Sequence, residues 1–365
     1  MTVVVKIGTS SLTDKSGAIK DEAIEKLAKE ISQARQDFER IVLVSSGAIG
    51  AGLPALGFTS ERPVDSRTLQ AASAIGQPRL MAIYGKEFAK FDISIAQLLM
   101  APDDFFIRKR YLHARSTVEE LLNANILPIV NENDAIADDA IRWGDNDRIA
   151  ALLAQLLNAE RLVMLTDTDG VFSRDPNQDG SDEAKLIHEI RSQEELDAQV
   201  GNSASSRGSG GMASKLTAAQ IASWAGVTTT IASAARPNVV IEALQKDGEV
   251  GTTIRPHPRP LTAKKLWIAF ALEPNGDILI DDGAAHALLH GGSSLLAVGV
   301  VGFTGEFEEG DAVNIKTSGG ELIARGLIST SSESLQSLLG LNSTELPINS
   351  PAQIIHRDEM VLLNS

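Results

Sequence analysis

The sequence predicts an α/β fold with a mainly parallel sheet sandwiched by helices, followed by a small, mainly β domain. Short β-branched runs alternate with helical patterns from residue 1 to about residue 255, and this alternation is typical of parallel sheets covered by helices on both faces. Three prolines then fall within residues 256–260, where neither a helix nor a central strand can continue. We therefore expect a first domain at 1–255, a proline-rich linker at 256–262 and a second domain at 263–365.

The composition is that of a globular protein. The 365 residues suffice for two or three domains of roughly 150 residues, and 43% hydrophobic with 22% charged residues are ordinary values. The chain has no cysteine and its six histidines are dispersed, so we expect no disulfide framework and no zinc enzyme. The N-terminus has no basic region followed by a long apolar stretch, which predicts no signal peptide and a cytoplasmic location away from membranes.

The helices and strands of the first domain are predicted from periodicity. Apolar residues recur every three or four positions from Ile24 to Phe38, which predicts a helix with Asp21 as its N-cap. The capping-box pattern from Ser116 to Glu119 predicts the start of a second helix, and a third follows Asp145. Strands are expected at residues 3–5, 41–44, 93–96, 126–130, 162–165 and 227–231.

Turn residues separate the predicted strands of the second domain. The uncharged segment 283–305 contains six glycines and is expected to form short buried strands rather than a membrane span. The strand-like runs are residues 266–271, 278–280, 295–301, 312–315 and 321–328.

Ligands of open α/β sheets bind at the carboxyl ends of the strands. Lys6 ends the first strand and is followed by a turn with Gly8, which could hold phosphate or could be a surface lysine beside a turn. Ser46, Gly47 and Ala48 begin a loop of small residues that allows close approach of a ligand or close packing on a helix.

Two Asn/Asp clusters lie about a dozen residues apart. Asn131 and Asp134 follow one strand, and Asn146 and Asp147 precede a helix. Such residues form caps and turns, but converging clusters could also bind an ammonium and carboxylates.

Residues 208–215 are glycine-rich and open a helix, with Lys215 about one turn inside. Free N–H groups and the helix dipole make this segment attractive to phosphate, and a flexible linker is the alternative. The segment matches neither a Walker P-loop nor a dinucleotide turn. Thr166 and Asp167 follow another strand and could meet a nucleotide or form a turn.

Phosphoryl transfer is the chemistry that these segments favour. There is no nucleophile elbow and no cysteine. Two lysines in phosphate-binding contexts can neutralise a moving phosphoryl group together with Mg²⁺.

These segments, in this order, closely resemble those of the glutamate 5-kinases of the amino acid kinase family. The first 255 or so residues resemble the kinase domain, with the amino acid kinase fold, and the remainder resembles a PUA domain. The resemblance implies phosphorylation of the side-chain carboxylate of L-glutamate to L-glutamyl 5-phosphate by ATP with Mg²⁺, the first step of proline biosynthesis.

The resemblance also implies roles for individual residues. Lys6 and Lys215 would contact the phosphates and be oriented by ion pairs with Asp147, while Ser46, Gly47, Ala48, Asn131, Asp134 and Asn146 would bind glutamate. Ser209 stands where the family often has threonine, and the hydroxyl is retained. The ATP site would comprise Lys6, Thr166, Asp167, Ser209, Gly210, Gly211, Met212, Ala213, Ser214 and Lys215.

Proline as feedback inhibitor, a homodimer or homotetramer, and glutamyl phosphate reductase as partner are further implications of the resemblance. Kinases of N-acetylglutamate, aspartate, carbamate or UMP remain alternatives. RNA binding by the second domain is another alternative, but from residue 261 onward five Lys+Arg face thirteen Asp+Glu, a net charge of −8. We therefore expect no nucleic-acid partner.

Overall fold

The chain forms two compact units, Met1–Pro260 and Leu261–Ser365. We describe them from a computed structural model. It covers residues 1–14, 17–59, 62–105, 107–136, 146–174, 184–205, 210–270, 272–342, 344–348, 350–351 and 353–363.

The first unit is built on an eight-stranded sheet with the strand order β3-β4-β2-β1-β5-β7-β8-β6. All neighbours are parallel except β7 and β8, so the predicted mainly parallel sheet is confirmed. The strands are β1 (Thr2–Ile7), β2 (Arg40–Ser45), β3 (Ile95–Met100), β4 (Leu127–Glu132), β5 (Arg161–Thr166), β6 (Glu189–Ile190), β7 (Thr228–Ser233) and β8 (Thr252–Ile254).

Helices cover both faces of this sheet. They are α1 (Thr9–Leu12), α2 (Asp21–Ala34), α3 (Ala48–Gly52), α4 (Ser66–Ala89), α5 (Arg108–Asn123), α6 (Asn146–Leu156), α7 (Gln193–Ser205), α8 (Gly210–Trp224) and α9 (Val239–Gln245). Helices α2, α4 and α9 share one hydrophobic core with β1, β2, β4 and β5.

The alternation of β1 decides where its lysine goes. Val3, Val5 and Ile7 point into the core shared with α2, α4 and α9. Successive side chains of a strand point to opposite faces, so Lys6 points to the other face, where it meets Asp147 of α6.

Two predicted helix starts are wrong by different amounts. Helix α2 begins at Asp21 with Lys20 as the N-cap residue. Asp21 therefore lies one position inside the helix, where its negative charge interacts favourably with the helix dipole. Helix α5 begins at Arg108, and Ser116 lies in its middle. Residues 108–110 at the start of this helix are exposed, so no apolar periodicity marks the true start. The capping-box pattern at Ser116 was the only local signal, and it indicated the wrong position.

Helix α4 was not predicted from the sequence. It has 24 residues with Pro78 inside it, and it crosses α3 closely. A Cβ atom added at Gly52 would overlap the carbonyl oxygen of Ala72, and one added at Gly76 would overlap that of Ala48. Glycine is therefore required at both positions. Of the two alternatives for the loop of small residues, close packing on a helix accounts for Gly52.

The second unit contains a five-stranded sheet with the order β10-β9-β11-β12-β13. The predicted strand at 266–271 is wrong, because residues 266–270 fall in helix α10 and residue 271 lies outside the described residues. Helix α11 occupies part of the segment expected to form strands. The elements are α10 (Ala263–Phe270), β9 (Gly276–Ile280), α11 (Asp282–Gly291), β10 (Val300–Gly305), β11 (Ala312–Thr317), β12 (Leu322–Leu327), α12 (Ser332–Gln336) and β13 (Met360–Leu362).

Helix α10 forms because its end is held by another part of the unit. The Arg325 guanidinium donates hydrogen bonds to the carbonyl oxygens of Ala269, at 2.8 Å, and Leu272, at 3.1 Å. The Ala269 carbonyl lies in the last turn of the helix, where backbone acceptors have no partner within the helix, and Leu272 follows the helix end. A distant arginine thus favours the helix over the strand that the β-prone sequence predicts.

Across the described residues, no helix combines the length and the apolar character needed to cross a lipid bilayer.

The α3–α4 crossing can be tested by adding single methyl groups. We expect Gly76→Ala to lower the free energy of unfolding by about 1–3 kcal/mol, because the methyl group meets the backbone of α3. Gly85→Ala in the same helix is the matched control, since its Cβ would lie 3.8 Å from Ile95 Cδ1. It should raise stability by roughly 0.5–1 kcal/mol. Urea unfolding measures both, and equal effects would contradict the packing argument.

Candidate functional site

Two lysines from distant parts of the chain meet one buried carboxylate. Lys6 Nζ lies 2.6 Å from Asp147 Oδ1, and Lys215 Nζ lies 3.1 Å from Asp147 Oδ2. The three residues are only 4, 7 and 5% exposed, for Lys6, Lys215 and Asp147 respectively. The predicted ion pairs of Asp147 are therefore both present, and two ammonium groups share one anchor.

The ionisation of Asp147 depends on these neighbours. Burial by itself raises the pKa of its carboxyl group, but the charges and hydrogen bonds of Lys6 and Lys215 outweigh burial and hold the pKa below its ordinary value. Asp147 also lies in the first turn of α6, where the helix dipole stabilises a negative charge. The site therefore contains a fixed carboxylate between two cations.

The first turns of α8 supply the second half of this arrangement. Lys215 Nζ also donates to the Gly211 carbonyl at 3.2 Å, and Ser214 Oγ donates to Asp147 Oδ2 at 3.2 Å. Gly210, Met212 and Ala213 belong to the same helical turns, which excludes a flexible linker from residue 210 onward. Ser209, Gly144 and Asp145 lie outside the described residues.

The turn after β1 closes one side of Lys6. The Gly8 N–H donates to the carbonyl oxygen of Leu165 at 3.2 Å, which ties this turn to the end of β5. A Cβ added at Gly8 would lie 3.5 Å from Lys6 Nζ, so the backbone of this turn passes close to the ammonium group.

The two predicted Asn/Asp clusters come together at the end of β4. The backbone N–H of Glu132 donates to Oδ1 of Asn131 at 2.9 Å and to Oδ1 of Asn146 at 3.2 Å. Asn131 ends the strand region and Asn146 begins α6, so one N–H group joins both clusters. Both side chains are buried.

Helix α4 forms hydrogen bonds with two residues of the first Asn/Asp cluster, Asn131 and Asp134. Ser73 Oγ donates to Asp134 Oδ2 at 3.0 Å. Gln77 Oε1 accepts hydrogen bonds from Asn131 Nδ2 at 3.5 Å and from Gln97 Nε2 at 2.7 Å. Ser73 and Gln77 are buried, and the sequence analysis missed both.

A signal for α4 does exist in the sequence. The Asp65 side chain accepts the Thr68 N–H at 2.9 Å, and Asp is one of the residues preferred at a helix N-cap. Ser73 and Gln77 are then four residues apart, on one face of the helix.

Asp134 has a pKa above the ordinary value of an aspartate. Burial raises the pKa of its carboxyl group above the ordinary value, while the hydrogen bond from Ser73 and the charge of Arg62 act in the opposite direction. The hydrogen bond from Ser73 therefore favours the ionised form of this carboxyl group.

The loop after β2 lies beside α4. Ser45 Oγ and the Tyr84 hydroxyl are 2.8 Å apart, which fixes the strand end, and Ser46 is buried. Gly47 has φ 99° and precedes α3, which begins at Ala48. That left-handed conformation favours glycine, so the turn that presents residues 46–48 depends on Gly47.

Thr166 and Asp167 end β5 next to a cavity of about 370 Å³. Thr166 Oγ1 donates to Asp167 Oδ1 at 3.1 Å, and Thr166 is buried whereas Asp167 is exposed. Ser10, Ser11 and Lys20 also line the cavity. Its volume is in the range of small-molecule sites.

The described residues contain no group of three His, Asp or Glu side chains arranged to hold a metal ion. Mg²⁺ usually binds through substrate phosphates with one or two carboxylates.

Two anchored ammonium groups beside the carboxyl edge of an α/β sheet suit the binding of an anionic ligand, and comparisons with known proteins identify the family. The amino acid kinase family model matches residues 1–233, and the PUA domain model matches residues 276–347. The chain belongs to the amino acid kinase family.

Relatives extend over both units. A protein named glutamate 5-kinase from Cyanothece sp. is 44% identical over 367 residues, which cover 99% of this chain and 99% of the relative. One of the same name from Bifidobacterium longum is 42% identical, covering 99% and 96%. The crystal structure of a Giardia lamblia carbamate kinase bound to AMP-PNP covers 70% of this chain and 98% of its own, with 19% identity and a TM-score of 0.51, which shows a shared fold. The amino acid kinase fold and the PUA domain expected from the sequence are therefore confirmed.

The acid dependence of stability tests the buried ion pairs. Because the pKa of Asp147 is lowered in the folded state, its stabilising effect is complete above the ordinary value of about 3.9 and is lost as the pH falls through the lower folded value. We expect Asp147→Asn to lower the free energy of unfolding by about 3–5 kcal/mol at pH 7, and the difference from wild type to shrink as the pH falls below 4.

Asp37→Asn is the control for this measurement. Asp37 is exposed and accepts one hydrogen bond from Gln245, so its replacement should change stability by less than about 0.5 kcal/mol. A pH-independent difference between wild type and Asp147→Asn would contradict the assignment of a lowered pKa.

Proposed function

We propose that this protein catalyses the ATP-dependent phosphorylation of the side-chain carboxylate of L-glutamate to L-glutamyl 5-phosphate, the first step of proline biosynthesis. The observation that carries the proposal is the pair of buried ammonium groups on Asp147. The two relatives named glutamate 5-kinase, similar over nearly their whole length, support glutamate as the acceptor.

The reaction needs little covalent help from the protein. A glutamate side-chain oxygen attacks the γ-phosphorus of ATP, the bond to the β–γ bridging oxygen breaks, and ADP leaves with the electron pair. The attacking carboxylate is already ionised at neutral pH, so no general base is required. Catalysis then rests on in-line positioning and on neutralisation of the negative charge.

Lys6 and Lys215 supply that neutralisation. Each is a fixed ammonium whose position is set by Asp147, so no reorganisation is needed when charge moves from the γ-phosphoryl group to the leaving oxygen. Asp147 acts by holding both lysines rather than by exchanging a proton, since its pKa is lowered.

ATP would bind along the first turns of α8 and the end of β5. The free N–H groups at the start of α8 suit phosphates, and residues 209–215 with Thr166 and Asp167 form the proposed nucleotide site. Mg²⁺ would arrive with the phosphates of ATP and screen their charge.

Glutamate would bind between α4 and the end of β4. Asp134 would pair with the α-ammonium group, and Asn131 and Asn146 would offer amide groups to a carboxylate. Ser46, Gly47 and Ala48 would complete the site from the loop after β2.

The remaining assignments are also proposals. Residues 1–255 would form the catalytic domain, 256–262 a proline-rich linker and 263–365 a PUA-like domain. Proline would act as feedback inhibitor of a cytoplasmic dimer or tetramer, with glutamyl phosphate reductase as partner for the labile product. With a net charge of −8 from residue 261 onward, RNA is not an expected partner, and a salt-sensitive micromolar RNA complex in a filter assay would contradict this.

A glutamate-dependent release of ADP tests the reaction. The full chain is incubated with Mg²⁺ and ATP, with and without glutamate, and hydroxylamine traps the acyl phosphate as a hydroxamate. Parallel reactions contain aspartate, N-acetylglutamate, carbamate or UMP, and one glutamate reaction contains proline. ADP release with one of the other acceptors but none with glutamate would overturn the proposal.

The role of the lysine pair is tested by Lys215→Met. We expect kcat to fall at least ~10²-fold, the effect of removing one donor that stabilises developing negative charge, while the circular dichroism spectrum is unchanged. Lys246→Met, which removes an exposed lysine paired with Glu242, should keep wild-type kcat. Normal turnover of Lys215→Met would remove the lysine from the mechanism.

The role of α4 is tested by Ser73→Ala. Loss of the hydrogen bond to Asp134 should raise the pKa of that carboxyl group further and raise the KM for glutamate by roughly 5- to 10-fold, with a larger rise at lower pH, where more of the carboxyl group is protonated. The KM for ATP should not change. Ser223→Ala removes another buried serine, which donates to the Arg255 carbonyl, and should leave the KM for glutamate unchanged. A pH-independent rise would contradict the role of Asp134.

A further inference from the structure

Two histidines lie side by side on the surface of α11. His286 and His290 are four residues apart, both are exposed, and their ring centroids are 4.7 Å apart with an angle of 67° between the planes. The sequence-based expectation that the histidines are dispersed is therefore wrong for this pair. Side chains four residues apart on a helix are neighbours, so the spacing itself brings the rings together.

The separation of the rings fits a shared metal ion. Zinc binds histidine nitrogen at about 2.0–2.1 Å in a tetrahedral arrangement. With these bond lengths and a tetrahedral angle between the two nitrogens, two imidazoles that bind one such ion have ring centroids roughly 5 Å apart. The rings of His286 and His290 lie close to this separation, so both can reach one ion through rotation of their side chains without a change in the helix backbone.

The helix that carries the pair is firmly held. Ala285 and Leu288 are buried in the hydrophobic core of the second unit, and the Asp281 side chain accepts the Ala284 N–H at 2.7 Å at the start of the helix. The opposite face therefore presents both histidines from a fixed backbone, which lowers the entropic cost of chelation.

The electrostatic environment favours a cation. His290 lies in the last turn of α11, where the partial negative charge of the helix C-terminus stabilises positive charge. The second unit carries five Lys+Arg against thirteen Asp+Glu, and a negatively charged domain concentrates cations at its surface.

We infer that His286 and His290 form a binding site for a divalent transition-metal ion of the zinc, nickel or copper class, with water completing the coordination. Imidazole nitrogen suits these ions, whereas Mg²⁺ and Ca²⁺ prefer oxygen ligands. This site is therefore distinct in its chemistry from the magnesium that accompanies ATP, and it does not depend on the proposed kinase reaction.

Calorimetric titration of the full chain with Zn²⁺ tests the site. We compare wild type with His286→Ala, His290→Ala and the double variant, and use His113→Ala as the matched control. His113 is a single exposed histidine on α5 with no histidine four residues before or after it. Both rings of the pair are exposed, so these replacements should leave the fold unchanged, which circular dichroism verifies.

Chelation and independent binding give different results. If both rings bind one ion, the second imidazole acts at high effective concentration. Either single replacement should therefore lower the affinity for Zn²⁺ at least ~10-fold, as the double replacement does. His113→Ala keeps the tight site, and Mg²⁺ does not compete for it. A tight site that survives in the double variant, or single variants that each bind Zn²⁺ as tightly as wild type, would overturn the inference.

Thermal unfolding gives a second readout that is independent of catalysis. An ion that binds the folded protein but not the unfolded chain raises the unfolding temperature. Zn²⁺ should therefore raise the unfolding temperature more in wild type and His113→Ala than in His286→Gln or His290→Gln. Equal shifts in all four proteins would place the stabilising ion elsewhere and contradict the inference.

Discussion

The structure of the proposed active site depends on one interaction, the buried carboxylate of Asp147 between the ammonium groups of Lys6 and Lys215. Removing a charge from water is costly, and the cost is offset only when the partners are close and well oriented. Here the partners lie 2.6 and 3.1 Å away. Strand β1, helix α6 and helix α8 must therefore keep their relative positions, because displacement of any one of them leaves a buried charge without its partner. The same rigidity holds two cations ready for an anionic ligand.

Helix α4 connects the two sides of the proposed glutamate site. Its Gly76 allows close contact with α3, which follows the loop at residues 46–48. Ser73, three residues before Gly76, and Gln77, the residue after it, form hydrogen bonds with Asp134 and Asn131 respectively. A single helix thus fixes the backbone of one loop and the side chains of another. A buried polar side chain is stable only when it is hydrogen-bonded, so these contacts stabilise the fold as well as the site.

The second unit shows the same use of distant contacts for local structure. Arg325 of β12 satisfies the carbonyl groups at the end of α10, and the Asp281 side chain caps α11. The net negative charge of the second unit and its histidine pair distinguish its chemistry from that of the first unit. Cations rather than polyanions are the ligands that this chemistry favours.

The sequence by itself determined the parallel sheet and the position of Lys6 at its carboxyl edge, because strand patterns and strand ends are local features that need no knowledge of the partner strand. It did not determine α4, whose apolar residues have no helical period, or α10, whose β-prone residues form a helix capped by Arg325. The pairing of Lys215 with a carboxylate 68 residues away was implied by the family resemblance and by no local pattern, and only the tertiary structure decided that Ser73 and Gln77 support the polar cluster. Such choices arise from the packing of helices on the sheet, and burial then makes each polar contact obligatory.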